Sequence, residues 1–122
     1  MQIEISKEQY QKLIKMLYVG EWLINAWRER DEVITEYEDI EQYIYSFSGY
    51  KEFEASNMIT YDPEFKEYFP TKEFEESMQE LIDEYDEDCF WRELTTRMAT
   101  KEAFDKNKNA TIEDIWKLEE KY

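Results

Sequence analysis

The chain has 122 residues, 42% of them hydrophobic and 17% aromatic, which is enough apolar matter for one compact core and too rich in rings for an acidic disordered chain. Thirty-one acids against fifteen bases, with no histidine, give a formal net charge of −16; this excludes a phosphate-neutralising nucleic-acid surface and works against binding an anionic membrane. The single cysteine, Cys89, excludes an internal disulfide, a paired-cysteine redox centre and a multi-cysteine zinc site.

Two Gly and two Pro in the whole chain force few turns, so long helices are favoured over short strands joined by tight hairpins. Met1 leads into Gln2-Ile3-Glu4-Ile5 without the basic start and apolar run of a signal peptide, and the expectation is a cytoplasmic protein. Ser6 with Gln9 forms a capping-box pattern that opens helix one, and apolar Tyr10, Leu13, Ile14, Leu17 and Tyr18 follow at helical spacing. Met16, Val19, Trp22, Leu23, Ile24, Ala26 and Trp27 widen the apolar surface, which predicts a central helix bent near Gly20. Lys15, Glu21 and Asn25 interrupt this stretch, leaving it too short and too polar to span a bilayer. A second helix is expected over Asp31 to Phe47, with Val33, Tyr37, Ile40, Ile44 and Phe47 facing inward.

Residues 48–71 carry Ser48-Gly49, Asn57, Asp62-Pro63 and Phe69-Pro70 as breakers, and predict a loop with a short helix near Pro63 to Tyr68. The open alternative is a short two-stranded pairing between residues 2–5 and 58–61. Thr71 caps a helix with Phe74, Met78, Leu81, Ile82 and Tyr85 on one face. Asp86 and Asp88 are expected to interrupt it before another helix carries Phe90, Trp91, Leu94 and Met98 toward Phe104. Thr111 caps a final short helix with Ile112, Ile115 and Trp116 inward. The expected fold is all-α: one domain over residues 1–122, built as a compact bundle of about five helices.

The lack of histidine removes Ser-His-Asp and Cys-His nucleophile systems, histidine zinc sites and Glu-x-x-His di-iron bundles. Cys89, beside Phe90 and flanked by acids, reads as a small core residue rather than a reactive thiolate. Glycines only at 20 and 49 preclude a phosphate-binding glycine loop. Asp105-Lys106-Asn107-Lys108-Asn109-Ala110-Thr111-Ile112 resembles the start of an EF-hand calcium loop, with oxygen donors at loop positions one, three and five and Ile at eight. Ala110 stands where the turn glycine belongs and Trp116 where the bidentate glutamate belongs, so the segment is read as a polar turn and no metal site is assigned.

Glu73, Glu76, Glu102 and Asp105 follow the order Glu-x-x-Glu then Glu-x-x-Asp, similar to the magnesium-binding carboxylates of the all-α nucleotide pyrophosphohydrolases. That resemblance implies a magnesium-dependent hydrolase as the alternative function. The same local spacing recurs at Glu38/Glu41 and Glu80/Asp83, and no Lys/Arg cluster is present to receive phosphates, so no catalytic residue or cofactor is assigned.

The acids concentrate in the second half: residues 62–122 carry nineteen acids and nine bases, residues 1–61 twelve and six. Between Glu73 and Asp88 there are nine acids and no base. Glu73, Glu76, Glu80, Glu84 and Glu87 fall at steps that place them on one helix face, a stripe about 21 Å long. Like charges so spaced repel by a few tenths of a kcal/mol per pair, a cost with no local benefit. These five residues are the candidate partner-binding site, for a basic protein in the manner of an immunity or inhibitor protein, or of the acidic helical DNA mimics that the chain resembles in size and composition. Tyr43, Tyr45 and Tyr50 are expected to be exposed anchors, and the bland reading of the stripe is a solvated face. Self-association stays open.

Overall fold

The computed structural model describes all 122 residues, and their contacts group into two compact units, Met1–Glu80 and Leu81–Tyr122. The protein is mostly helical, with four helices rather than five and one two-stranded antiparallel sheet.

In the first unit, α1 (Lys7–Asn25) begins where the capping box predicts: Gln9 N–H donates to Ser6 Oγ at 3.2 Å, and Ser6 N–H donates to Gln9 Oε1 at 2.8 Å. It packs against α2 (Thr35–Tyr45), which starts four residues later than the periodicity predicts. Buried Asn25 explains the delay. Its Oδ1 accepts from Ile34 N–H at 2.9 Å and its Nδ2 donates to Ile34 O at 3.3 Å, so residues 26–34 loop back to the end of α1. Asn25 thereby satisfies one of the N–H groups left without an intrahelical partner at the start of α2, although Ile34 itself offers no side-chain cap.

The irregular middle forms β1 (Ile59–Asp62) and β2 (Glu67–Pro70), with Ile59 opposite Pro70 and Asp62 opposite Glu67. The expected short helix at 63–68 is absent, and residues 2–5 take no part in the pairing. Asp62 Oδ1 accepts from Glu64 N–H at 2.8 Å, and Lys66 adopts a left-handed φ of 56°, which turns the chain back on itself at Pro63. Gln42 of α2 then holds the free edge of β2, donating to Tyr68 O and accepting from Tyr68 N–H, both at 2.8 Å.

The core of this unit contains Tyr10, Ile14, Tyr45, Ala55, Met58, Ile59, Phe74 and Met78. Tyr10 stacks on Phe53 at 4.1 Å between ring centres, and its hydroxyl donates to Ile44 O at 2.5 Å. The central-helix expectation for α1 fails at its outer side, where Met16 and Leu23 are exposed; Trp27 just past its end and Tyr37 and Ile40 of α2 are exposed as well.

α3 (Lys72–Lys106) opens in the first unit with Phe74 N–H donating to Thr71 Oγ1 at 3.3 Å. It merges the two helices expected on either side of Asp86 and Asp88. No Gly or Pro occurs between 71 and 106, and Asp88–Arg92 and Glu93–Arg97 form ion pairs one turn apart, so nothing breaks the backbone ladder. In the second unit α3 is followed by α4 (Ile112–Glu119), whose start is fixed by a second capping box between Thr111 and Asp114. Thr96 Oγ1 donates to Glu119 Oε1 at 2.8 Å, and Lys121 and the Tyr122 hydroxyl both donate to Glu102, tying the end of the chain to α3. Ile112 and Trp116, expected inward, are exposed.

Candidate functional site

The five glutamates of the predicted stripe all lie on α3 and all are exposed. Glu73, Glu76 and Glu80 belong to the first unit, Glu84 and Glu87 to the second. None enters an ion pair. Within the second unit every residue from Asp83 to Glu93 is exposed, so this length of helix meets solvent all round. It carries Tyr85, Phe90 and Trp91, each more than half exposed, and Leu81 just before them is exposed too. The sequence periodicity assigns these residues to a core. They are instead an aromatic surface set among Glu84, Asp86, Glu87 and Asp88, with Phe90 and Trp91 packed edge to face at 5.2 Å.

Cys89 is exposed on the same segment rather than buried beside Phe90. The Cys89 side chain, one turn on, raises the Tyr85 hydroxyl above its ordinary range, and Asp86 and Asp88 add to the effect. Of the three tyrosines expected at the surface, Tyr43 and Tyr50 are exposed, whereas Tyr45 is 1% exposed and belongs to the core. Its place one turn after Glu41 on the inner side of α2 accounts for the difference.

Glu102, read from its spacing as a possible metal ligand, is held instead by Lys106 at 3.1 Å, Lys121 at 3.0 Å and the Tyr122 hydroxyl at 2.8 Å. The bonds from Lys121, Tyr122 and Lys106 lower its carboxyl to about 2. Glu73 and Glu76 lie in the first unit and Glu102 and Asp105 in the second, and no three acidic or thiol side chains in the protein gather as a metal-holding group. The EF-like segment forms a turn. Asn109 N–H donates to Asn107 Oδ1 at 3.0 Å and Ala110 N–H to Asn107 O at 3.0 Å, before the Thr111 cap.

No protein-family model, curated protein or solved structure matches the chain.

A second group of acids lies in the first unit, at the packing of α1 on α2. Glu41 is half-buried, and burial, with Glu21 and Glu38 nearby, pushes its carboxyl up to about 7. Burial, with Glu41 next in weight, pushes the Tyr45 hydroxyl far above its ordinary value. The Tyr45 hydroxyl and the Glu41 carboxyl lie close enough for each to perturb the other's titration. Sequence spacing marks Glu38 and Glu41 only as one of several acid pairs. The contribution of Glu21 depends on the α1–α2 packing and has no signal in the sequence.

Proposed function

We propose that this chain is a non-catalytic protein-binding module whose α3 acidic face docks a basic protein, acting as an immunity, inhibitor or DNA-mimic protein acts. The observation that carries the reading is the exposed stretch Asp83–Glu93, where Tyr85, Phe90 and Trp91 stand in solvent among carboxylates. Buried aromatic anchors supply most of the free energy at protein interfaces, and surrounding charge steers the encounter. A solvated face that serves solubility alone requires only the acids. Exposed rings on the same helix add aggregation risk without benefit unless a partner covers them.

The test is capture of partners from the native lysate on the immobilised chain at low and high salt, followed by the triple reversal Glu76→Lys, Glu80→Lys and Glu84→Lys. Capture of a basic protein that weakens with salt and is lost in the reversed, still folded variant is the expected result. Capture that the reversal leaves unchanged refutes the proposal.

A further inference from the structure

The first unit holds an open cavity of about 280 Å³, walled by α1, by the residues just before β1 and by the start of α3. Its floor is apolar, formed by buried Met58 and Phe74. Hydrogen bonds fix its frame. On the α1 side Gln11 Nε2 donates to Phe53 O at 3.0 Å and to Glu54 O at 3.3 Å. Opposite, Thr71 Oγ1 donates to Asn57 O at 2.7 Å and Thr71 N–H to Met58 O at 2.8 Å, which ties residues 57 and 58 to the start of α3. The walls carry one base and one acid, Lys15 of α1 and Glu73 of α3, both exposed and neither in an ion pair. Ser77, one turn after Glu73, donates its hydroxyl hydrogen to Phe74 O at 2.8 Å, so its oxygen is left to accept.

These charges restrict what the cavity can hold. A lone anion meets Glu73 and a protein of net charge −16, and a lone cation meets Lys15. A small molecule that carries both charges is neutral overall and finds one partner on each wall. The volume lies at the lower end of the roughly 300–1,000 Å³ of ligand pockets and suits a compact ligand. The apolar floor favours one with an apolar group to bury. We infer that this cavity binds a free α-amino acid with an apolar side chain. Its carboxylate accepts from Lys15, its ammonium donates to Glu73 and the Ser77 oxygen, and its side chain lies on Met58 and Phe74.

The test is a nuclear magnetic resonance titration of the full chain with leucine, beside leucinamide, which lacks the carboxylate, and 4-methylpentanoate, which lacks the ammonium. Saturable shifts at the Met58 methyl and the Phe74 ring are expected with leucine, with binding about tenfold weaker for either analogue, since each loses one charged hydrogen bond. Lys15→Gln should weaken leucine about tenfold yet leave leucinamide unchanged, and Glu73→Gln should weaken leucine about as much yet leave 4-methylpentanoate unchanged. Both residues are exposed, so neither variant should fail to fold. The dipeptide Gly-Leu, whose charges lie farther apart, should bind more weakly than leucine; equal binding overturns the assignment to a free amino acid. Absence of saturable leucine shifts, equal binding of leucine and either analogue, or unchanged leucine binding in both variants overturns the inference. So does an equal loss of stability in the two variants with no response to leucine, which is what an ion pair closing across the cavity would give. Glu76, Glu80 and Glu84 do not line this cavity, so its failure is separate from that of α3 docking.

Discussion

Both units expose aromatic residues, but only the first buries any. In the first, Tyr10, Tyr45 and Phe74 are buried, and Tyr10 stacks on Phe53 while Phe74 meets Tyr18 edge to face. In the second, Phe90, Trp91, Phe104 and Trp116 are all exposed, and only Ile82, Ala99 and Ala103 are buried. Their polar ties differ too. Gln42, Asn25 and Tyr10 bond backbone groups across elements in the first unit, whereas in the second an ion pair from Lys121 and a hydrogen bond from the Tyr122 hydroxyl to Glu102 hold the chain end. A unit built on large buried side chains draws its stability from apolar area. One that buries mainly methyl groups relies on helix propensity, caps and charge. The second arrangement leaves its rings available to a partner.

Removing a core side chain from the first unit should give the largest effect. Ile14 is fully buried, and Ile14→Ala should cost about 2–5 kcal/mol, a large part of the roughly 5–15 kcal/mol that holds a small domain together. Urea denaturation followed by tryptophan fluorescence measures this. A loss below about 1 kcal/mol would mean that the site is far looser than its burial implies.

Acidity should distinguish the units next. Glu41 is raised to about 7 in the fold by burial and Glu21, so the contribution of its protonated form is fully present below its ordinary value near 4.5 and is lost as pH rises through 7. The first unit should therefore gain on the order of 2 kcal/mol between pH 8 and pH 5, and Glu41→Gln should remove most of that slope. Glu102 is lowered to about 2, so its contribution is present above 4.5 and fades as pH falls toward 2. Residue-resolved hydrogen exchange should show protection rising in α2 as pH falls from 8 to 5, and protection falling in α4 as it drops from 5 to 2. Parallel behaviour of the two would break the comparison.

Local chemistry was legible in the sequence wherever it acts within one turn of chain. The Ser6, Thr71 and Thr111 caps are all present, because a side-chain oxygen and an N–H three residues on need no tertiary context. Features that depend on distant partners were not legible. Residues 59–70 become a hairpin through the Asp62 turn, with Gln42 from α2 at its edge, neither of which follows from local periodicity. The break expected at Asp86 and Asp88 failed because aspartate is only a weak helix breaker when no glycine or proline accompanies it. For the candidate site, spacing placed all five glutamates on one helix, but it also assigned Tyr85, Phe90 and Trp91 to a core. Periodicity reports which residues share a face, and whether anything covers that face is decided elsewhere in the chain.

The smallest expected effect on stability is therefore the most informative about function. Phe90 and Trp91 are 58% and 56% exposed, so replacing both with alanine removes little buried area. Alanine is also the better helix former. The double variant Phe90→Ala, Trp91→Ala should lie within about 0.5 kcal/mol of the parent in urea denaturation, in contrast to the loss at Ile14. In the capture experiment the same variant should lose partner binding by at least tenfold, because anchors at an interface centre are each worth about 2 kcal/mol or more. A large loss of stability would show that these rings are covered within the protein itself. Unchanged stability with unchanged capture would leave the acids as the sole contact and reduce the aromatic surface to an incidental one.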